Sequence, residues 1–233
     1  MRTSFGVLKF TSTRHVASFL RGDLHMKPLE YFANLEDDAL RSDRNEGADF
    51  AMQISELAVQ NERGEFVPIG GIINPIVSRP REPSGVNVFC MYALSMPGGF
   101  PIHARNLDFG DSYVVLTNGQ EFLNRVRSAP LPKGRKLHWG LIQYVERTRY
   151  DGPVGPFRKF GDFSYQQEFR LAVSGGDGSK FELAIGDISD ICVVGPTSEI
   201  NRRLRVTNNA FEIGHAATGR PALSASRQRR RGM

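Results

Sequence analysis

The chain predicts an α+β fold, with mixed or mostly antiparallel sheets of seven to eight strands and about three helices. Three observations lead there. Segments of strand length crowd the second half of the 233 residues, helix signals fall early and centrally rather than after each strand, and no internal repeat is present. Residues 1–219 read as one α+β domain, and 220–233 as a disordered basic tail.

FGVLKF (5–10) alternates and precedes a helix signal, so it reads as the first strand. Ser12 or Thr13 caps the next helix, on which Val16, Phe19 and Leu20 recur at helical spacing before Gly22 stops it. Pro28 suits the first turn of a short second helix with Leu29, Phe32 and Leu35, and the two helices are expected on one face of a sheet. The stretch 36–49 carries eight charges and one large apolar residue, Leu40, which makes it a solvated loop or the wall of a site. Asp43 and Glu46 there admit two readings: facing a cleft, or pairing locally with Arg41 and Arg44.

Residues 51–59 read as a strand and ERGE (62–65) as a turn, whereas the glycines and prolines between Pro68 and Pro83 predict an extended loop. VNVFCMYALS (86–95), apolar on both faces, has the character of a central strand and delivers Ser95 to the flexible MPGGFP. SYVVLT is a strand, and Asn118-Gly119 leads into a helix that Pro130 stops. HWGLIQYVE is the next strand. Phe163–Val173 follows as a strand, then a hairpin signal at GGDGS (175–179), strands in FELAIG and DISDICVVGP, and an edge strand or short helix near NRRLRV and AFEIG.

Composition excludes several classes. The chain is 40% hydrophobic and 24% charged, and no apolar run approaches the ~20 residues of a membrane span, so a soluble protein without membrane contact is expected. MRTSFGVLKF lacks the features of a secretory signal, which points to the cytoplasm. Cys90 and Cys192 sit in apolar runs as small buried thiols, and neither CxxC nor HExxH occurs. Nor is there a Walker loop, a GxGxxG after a strand, a GxSxG elbow or a kinase signature, and the five histidines are scattered. Five of the arginines follow Gly219, which leaves 25 basic against 25 acidic residues before them. The net charge of +5 therefore belongs to the tail, a candidate contact for RNA or DNA.

In a strand over 163–173, Phe163, Tyr165, Phe169, Leu171 and Val173 share one face and Gln166, Glu168 and Arg170 the other. With Lys9 in VLKFTS and Ser95 at the end of FCMYALS, this Q-x-E strand resembles, in chain order, the three signatures of ADP-ribosyltransferases. KF-T-S, D-x-x-E-G, an apolar F-C strand and K…Y-x-x-E-F-R also resemble a group of bacterial and phage-related proteins tied to defence and mobile elements. Lysine in place of the usual arginine or histidine at the first signature, and the missing serine-threonine-serine triplet around Ser95, depart from the transferase pattern.

The resemblance implies NAD as substrate, with Glu168 at the nicotinamide ribose stabilising positive charge and Gln166 positioning the acceptor. Lys9 and Arg170 would hold the pyrophosphate, and Tyr92, Phe160 or Tyr165 would stack on nicotinamide. It further implies a toxin or phage-defence effector that modifies protein or nucleic acid. Two alternatives stand beside it. One is a binding module that engages RNA, DNA or an acidic protein through its loops and arginine tail. The other is a metal-dependent nuclease in which Asp43, Glu46 and Glu168 hold Mg²⁺.

Overall fold

The computed structural model describes residues 6–35, 43–71, 75–82, 84–94, 100–207 and 210–213. β1 (Gly6–Thr11) leads through Ser12 into α1 (Thr13–Leu20), which ends at Gly22 with a φ of 82°. β2 (Asp23–Pro28) follows, burying Leu24 and Met26 between polar neighbours, and then α2 (Leu29–Ala33). β2 is absent from the sequence reading, because six residues bounded by glycine and proline pass for a connection.

β3 (Phe50–Met52), β4 (Leu57–Gln60), β5 (Phe66–Ile69) and β6 (Ile76–Ser78) come next. β4 and β5 form a hairpin around the expected turn, and β6 pairs with β3, so the loop expected over 68–83 contains strand at 68–69 and 76–78. β7 (Asn87–Leu94), α3 (Ala104–Leu107), β8 (Ser112–Leu116) and α4 (Gly119–Ser128) form the middle of the chain. Asn118 caps α4 by accepting the Glu121 N–H at 3.0 Å.

The remainder comprises β9 (Lys136–Leu141), β10 (Gln143–Val145), β11 (Gly152–Pro153), β12 (Arg158–Phe160), β13 (Glu168–Ser174), β14 (Phe181–Ala184) and β15 (Cys192–Pro196). α5 (Ile200–Arg203), β16 (Leu204–Thr207) and β17 (Ala210–Ile213) close it. α3 and α5, one turn each, raise the described α-helices above the expected three, since four residues carry no periodicity to read.

Eight strands form the main sheet, and smaller two- and three-stranded sheets flank it; every pair but β10–β12 is antiparallel. β7 is its hub, with seven of eight residues buried as the doubly apolar sequence requires. One edge pairs with β13 from Tyr92↔Glu168 to Asn87↔Val173. The other edge is shared: β1 pairs with Tyr92–Leu94, β2 with Asn87 and Val88. Between them, at Phe89–Met91, the sheet forks.

The pleat sorts β7 and β13 into two faces. Phe89, Met91, Phe169, Leu171 and Val173 enter a core roofed by Phe19 of α1 and Phe122 and Val126 of α4. On the other face Val88 and Ala172 pack with Leu29 of α2. The first two helices thus lie on opposite faces rather than the same one, because β2 runs between them inside the sheet. GGDGS is not a hairpin turn either: β14 pairs with β2, not with β13.

Candidate functional site

β13 begins at Glu168, not at Phe163. Residues Gly161–Gln166 form a 3₁₀ turn, and Gln167, at a φ of 44°, breaks from it into the strand. The expected alternation survives for Glu168 and Arg170, while Gln166 reaches the same place from the turn. β12 lies parallel to β10 with Lys159 opposite Tyr144. The Tyr144 phenol accepts the backbone N–H of Glu168 at 3.0 Å, fixing the start of β13. From the other side comes the turn Asp43–Gly47, closed by Glu46 N–H to Asp43 O at 2.8 Å and by a φ of 75° at Gly47.

These segments bring two cations and two carboxylates into one buried network. Arg170 donates to Glu168 Oε1 from Nε (3.1 Å) and Nη2 (2.9 Å), to Glu46 from Nη1 (2.8 Å) and Nη2 (3.2 Å), and to the Pro156 carbonyl at 2.6 Å. All five guanidinium N–H groups are thereby used. Lys159 Nζ meets Gln166 Oε1 at 2.9 Å, Glu168 Oε2 at 3.0 Å and Glu46 Oε2 at 3.1 Å. Arg170 is fully buried, and Glu46, Lys159 and Glu168 are 3%, 6% and 5% exposed, so these charges have little water to answer them. Formally they cancel, which is the condition for burying them.

Burial alone would push the Glu168 carboxyl up, but Arg170 and Lys159 outweigh it and hold the group well below the usual carboxylate range. Burial opposes the charge on Lys159 as well, and Glu168 and Glu46 overcome it, raising its pKa above the ordinary lysine value. Asp43 lies outside the balance: burial, then the Glu46 charge, raise its pKa. Burial, with Glu168 adding to it, pushes the Cys90 thiol up to about 12, so both cysteines being free does not make Cys90 a nucleophile.

The network forms part of the wall of a cavity of about 760 Å³ that enters the fork in the main sheet. Lys9, Tyr92, Gln166, Glu168 and Arg170, expected from the sequence, all line it; Ser95 lies outside the described residues. Lys9 extends across the fork to donate to the Cys90 carbonyl at 2.7 Å, its ammonium 4.8 Å from the Phe89 ring centroid. Tyr92 packs edge-on against Phe10 at 5.9 Å, and burial pushes its phenol up to about 12.

Several expectations need correction. Arg170 has no N–H left for a pyrophosphate, so its place is to orient Glu168 and Glu46. Phe160 belongs to a separate core with Val145 and Val154, and Tyr165 sits against Arg105 at 4.1 Å; neither lines the cavity. Of the two readings of Asp43 and Glu46, the solvated loop gives way to the wall of a site: both are buried, and Glu46 lines the cavity and pairs with Lys159 and Arg170. That pairing also argues against a Mg²⁺ site, since both Glu46 oxygens face cations. Among the described residues no group of three or more His, Cys, Asp or Glu is placed to hold a metal. The tail at 220–233 lies outside the described residues.

Lys159 is the residue that sequence reasoning left without a role, although the lysine ahead of Y-x-x-E-F-R stood in the motif. Its partners sit 113 residues upstream at Glu46 and nine downstream at Glu168, and no local pattern joins them. No protein-family model, curated protein or solved structure matches this chain.

Proposed function

We propose that the cavity is the active site of an NAD-dependent ADP-ribosyltransferase-like protein, a toxin or phage-defence effector whose target is a protein or a nucleic acid. One observation carries the reading: Lys9, Tyr92, Gln166 and Glu168, spread over 160 residues of chain, line a single cavity. Its volume of about 760 Å³ falls inside the ~300–1,000 Å³ typical of small-molecule sites. Its apolar and aromatic side chains, Phe19, Phe32, Phe89 and Phe181 among them, suit the flat rings of a dinucleotide.

NAD would supply the bond that breaks, between nicotinamide and ribose. Glu168 stays ionised through the neutral range and has no proton to give, so its part is electrostatic, as a fixed acceptor near developing positive charge. Its Oε2 contacts the Lys159 ammonium at 3.0 Å. Lys159 and Arg170 act through Glu168 as positioning residues. Gln166, its amide oxygen held by Lys159, would orient the acceptor.

The test is nicotinamide release from NAD, followed by chromatography, beside calorimetric titration with NAD. Wild type should bind NAD and release nicotinamide, and Glu168→Gln should lose about 100-fold or more in rate. Gln166→Ala, which leaves the four charges in place, should lower transfer to an acceptor more than hydrolysis. A folded wild-type protein that neither binds nor turns over NAD refutes the proposal.

A further inference from the structure

Across the β2–β14 pair, Met26 stands opposite Phe181 and His25 opposite Glu182, which puts Lys27 opposite Lys180 one position beyond. Like charges facing each other on neighbouring strands are destabilising. Local acids do not relieve them: Glu182 is held by His25 at 2.8 Å and Asp23 by Arg21 at 3.0 Å. Among the described residues neither lysine has an ion pair, and the Lys27 ammonium rests 4.7 Å from the Tyr31 ring centroid. Burial, then Lys180, lowers the pKa of Lys27. Both lysines line the cavity that Glu168 lines.

Their place along the sheet is equally defined. Lys27 pairs with Val88 and Glu168 with Tyr92, so along β7 they are four residues apart, about 13 Å, on the same face. Arg170 has used every donor and Lys9 is directed at Cys90. Lys27 and Lys180 are the cavity-lining ammonium groups that face each other, and among the described residues neither is in an ion pair with a carboxylate, whereas Lys159 is held by Glu46 and Glu168.

We propose that Lys27 and Lys180 form a phosphate subsite, which takes the phosphate group of a nucleotide whose other end lies toward Glu168. This rests on the cavity being a nucleotide site, but not on the reaction carried out there. An anion between the two ammonium groups turns a repulsive pair into two charge-assisted contacts.

Calorimetric titration with ADP and with adenosine tests it. ADP should bind at least about tenfold tighter than adenosine, and Lys180→Ala and Lys27→Met should each weaken ADP about tenfold while leaving adenosine unchanged. Lys180 is exposed, so its substitution alone carries the test if Lys27→Met unfolds. Equal affinity for ADP and adenosine, no ADP binding, or an unchanged ADP affinity in Lys180→Ala overturns the subsite. Nicotinamide release with wild-type KM in the lysine variants would also refute it while sparing the transferase reading. Lysine-dependent ADP binding without any NAD turnover would uphold the subsite and refute that reading instead.

Discussion

Replacing Lys159 by methionine keeps the length of the side chain and removes the charge. Three contacts at 2.9, 3.0 and 3.1 Å are lost, and Glu46 and Glu168 are left with one cation between them. Breaking a buried ion pair from one side costs about 3–5 kcal/mol, because the remaining charge has neither partner nor water. For a chain of this size each kcal/mol moves the midpoint by roughly 2–4 °C, which puts the variant about 10 °C below wild type. Urea unfolding at pH 7, followed by circular dichroism, gives the free energy directly. Adding Glu168→Gln should recover part of the loss, since Arg170 and Glu46 then balance, with a coupling of at least about 1 kcal/mol. A single-variant loss below about 1 kcal/mol, the level of an exposed pair, or strict additivity would refute the reasoning.

Other consequences can be checked separately. The raised Asp43 pKa stabilises the protonated form in the fold, so its contribution is full below the ordinary value of 3.8 and lost as pH rises through the folded value. Asp43→Asn should accordingly be more stable than wild type at pH 7 and indistinguishable from it below pH 3.8, as read from urea midpoints. Gly22→Ala would place a Cβ 1.9 Å from the Gly186 carbonyl oxygen at a φ of 82°; a cost of about 2 kcal/mol or more is expected in the same assay. Burial pushes both Cys90 and Cys192 up to about 12, so iodoacetamide at pH 8 should leave the native protein largely unlabelled and modify both thiols in urea. Rapid labelling of Cys90 in the native state would contradict its place beside Glu168.

The central strand was legible because apolar residues on both faces of VNVFCMYALS leave it no solvent-facing side. The alternation that sends Glu168 and Arg170 to one face was legible for the same local reason. β2 was not: its two buried side chains, Leu24 and Met26, are too few to show a period. Which of the two readings of Asp43 and Glu46 holds, solvated loop or wall of a site, was not legible either. A segment dense in charge reads as solvated until its distant counter-ions are known, and these lie at Lys159 and Arg170. Ion pairs leave no periodic trace in a sequence, whereas hydrophobic faces do.

The Glu46 to Arg170 contact spans 124 residues, and this bears on when the charge network can close during synthesis. At about 5–20 residues per second a ribosome needs roughly 6–25 s to extend the chain from one to the other. Until then the emerging polypeptide has a carboxylate turn without its full pair of cations, Lys159 and Arg170. A translation product cut short before Arg170 therefore lacks a cation that both Glu46 and Glu168 need, and the four-charge network cannot close on it.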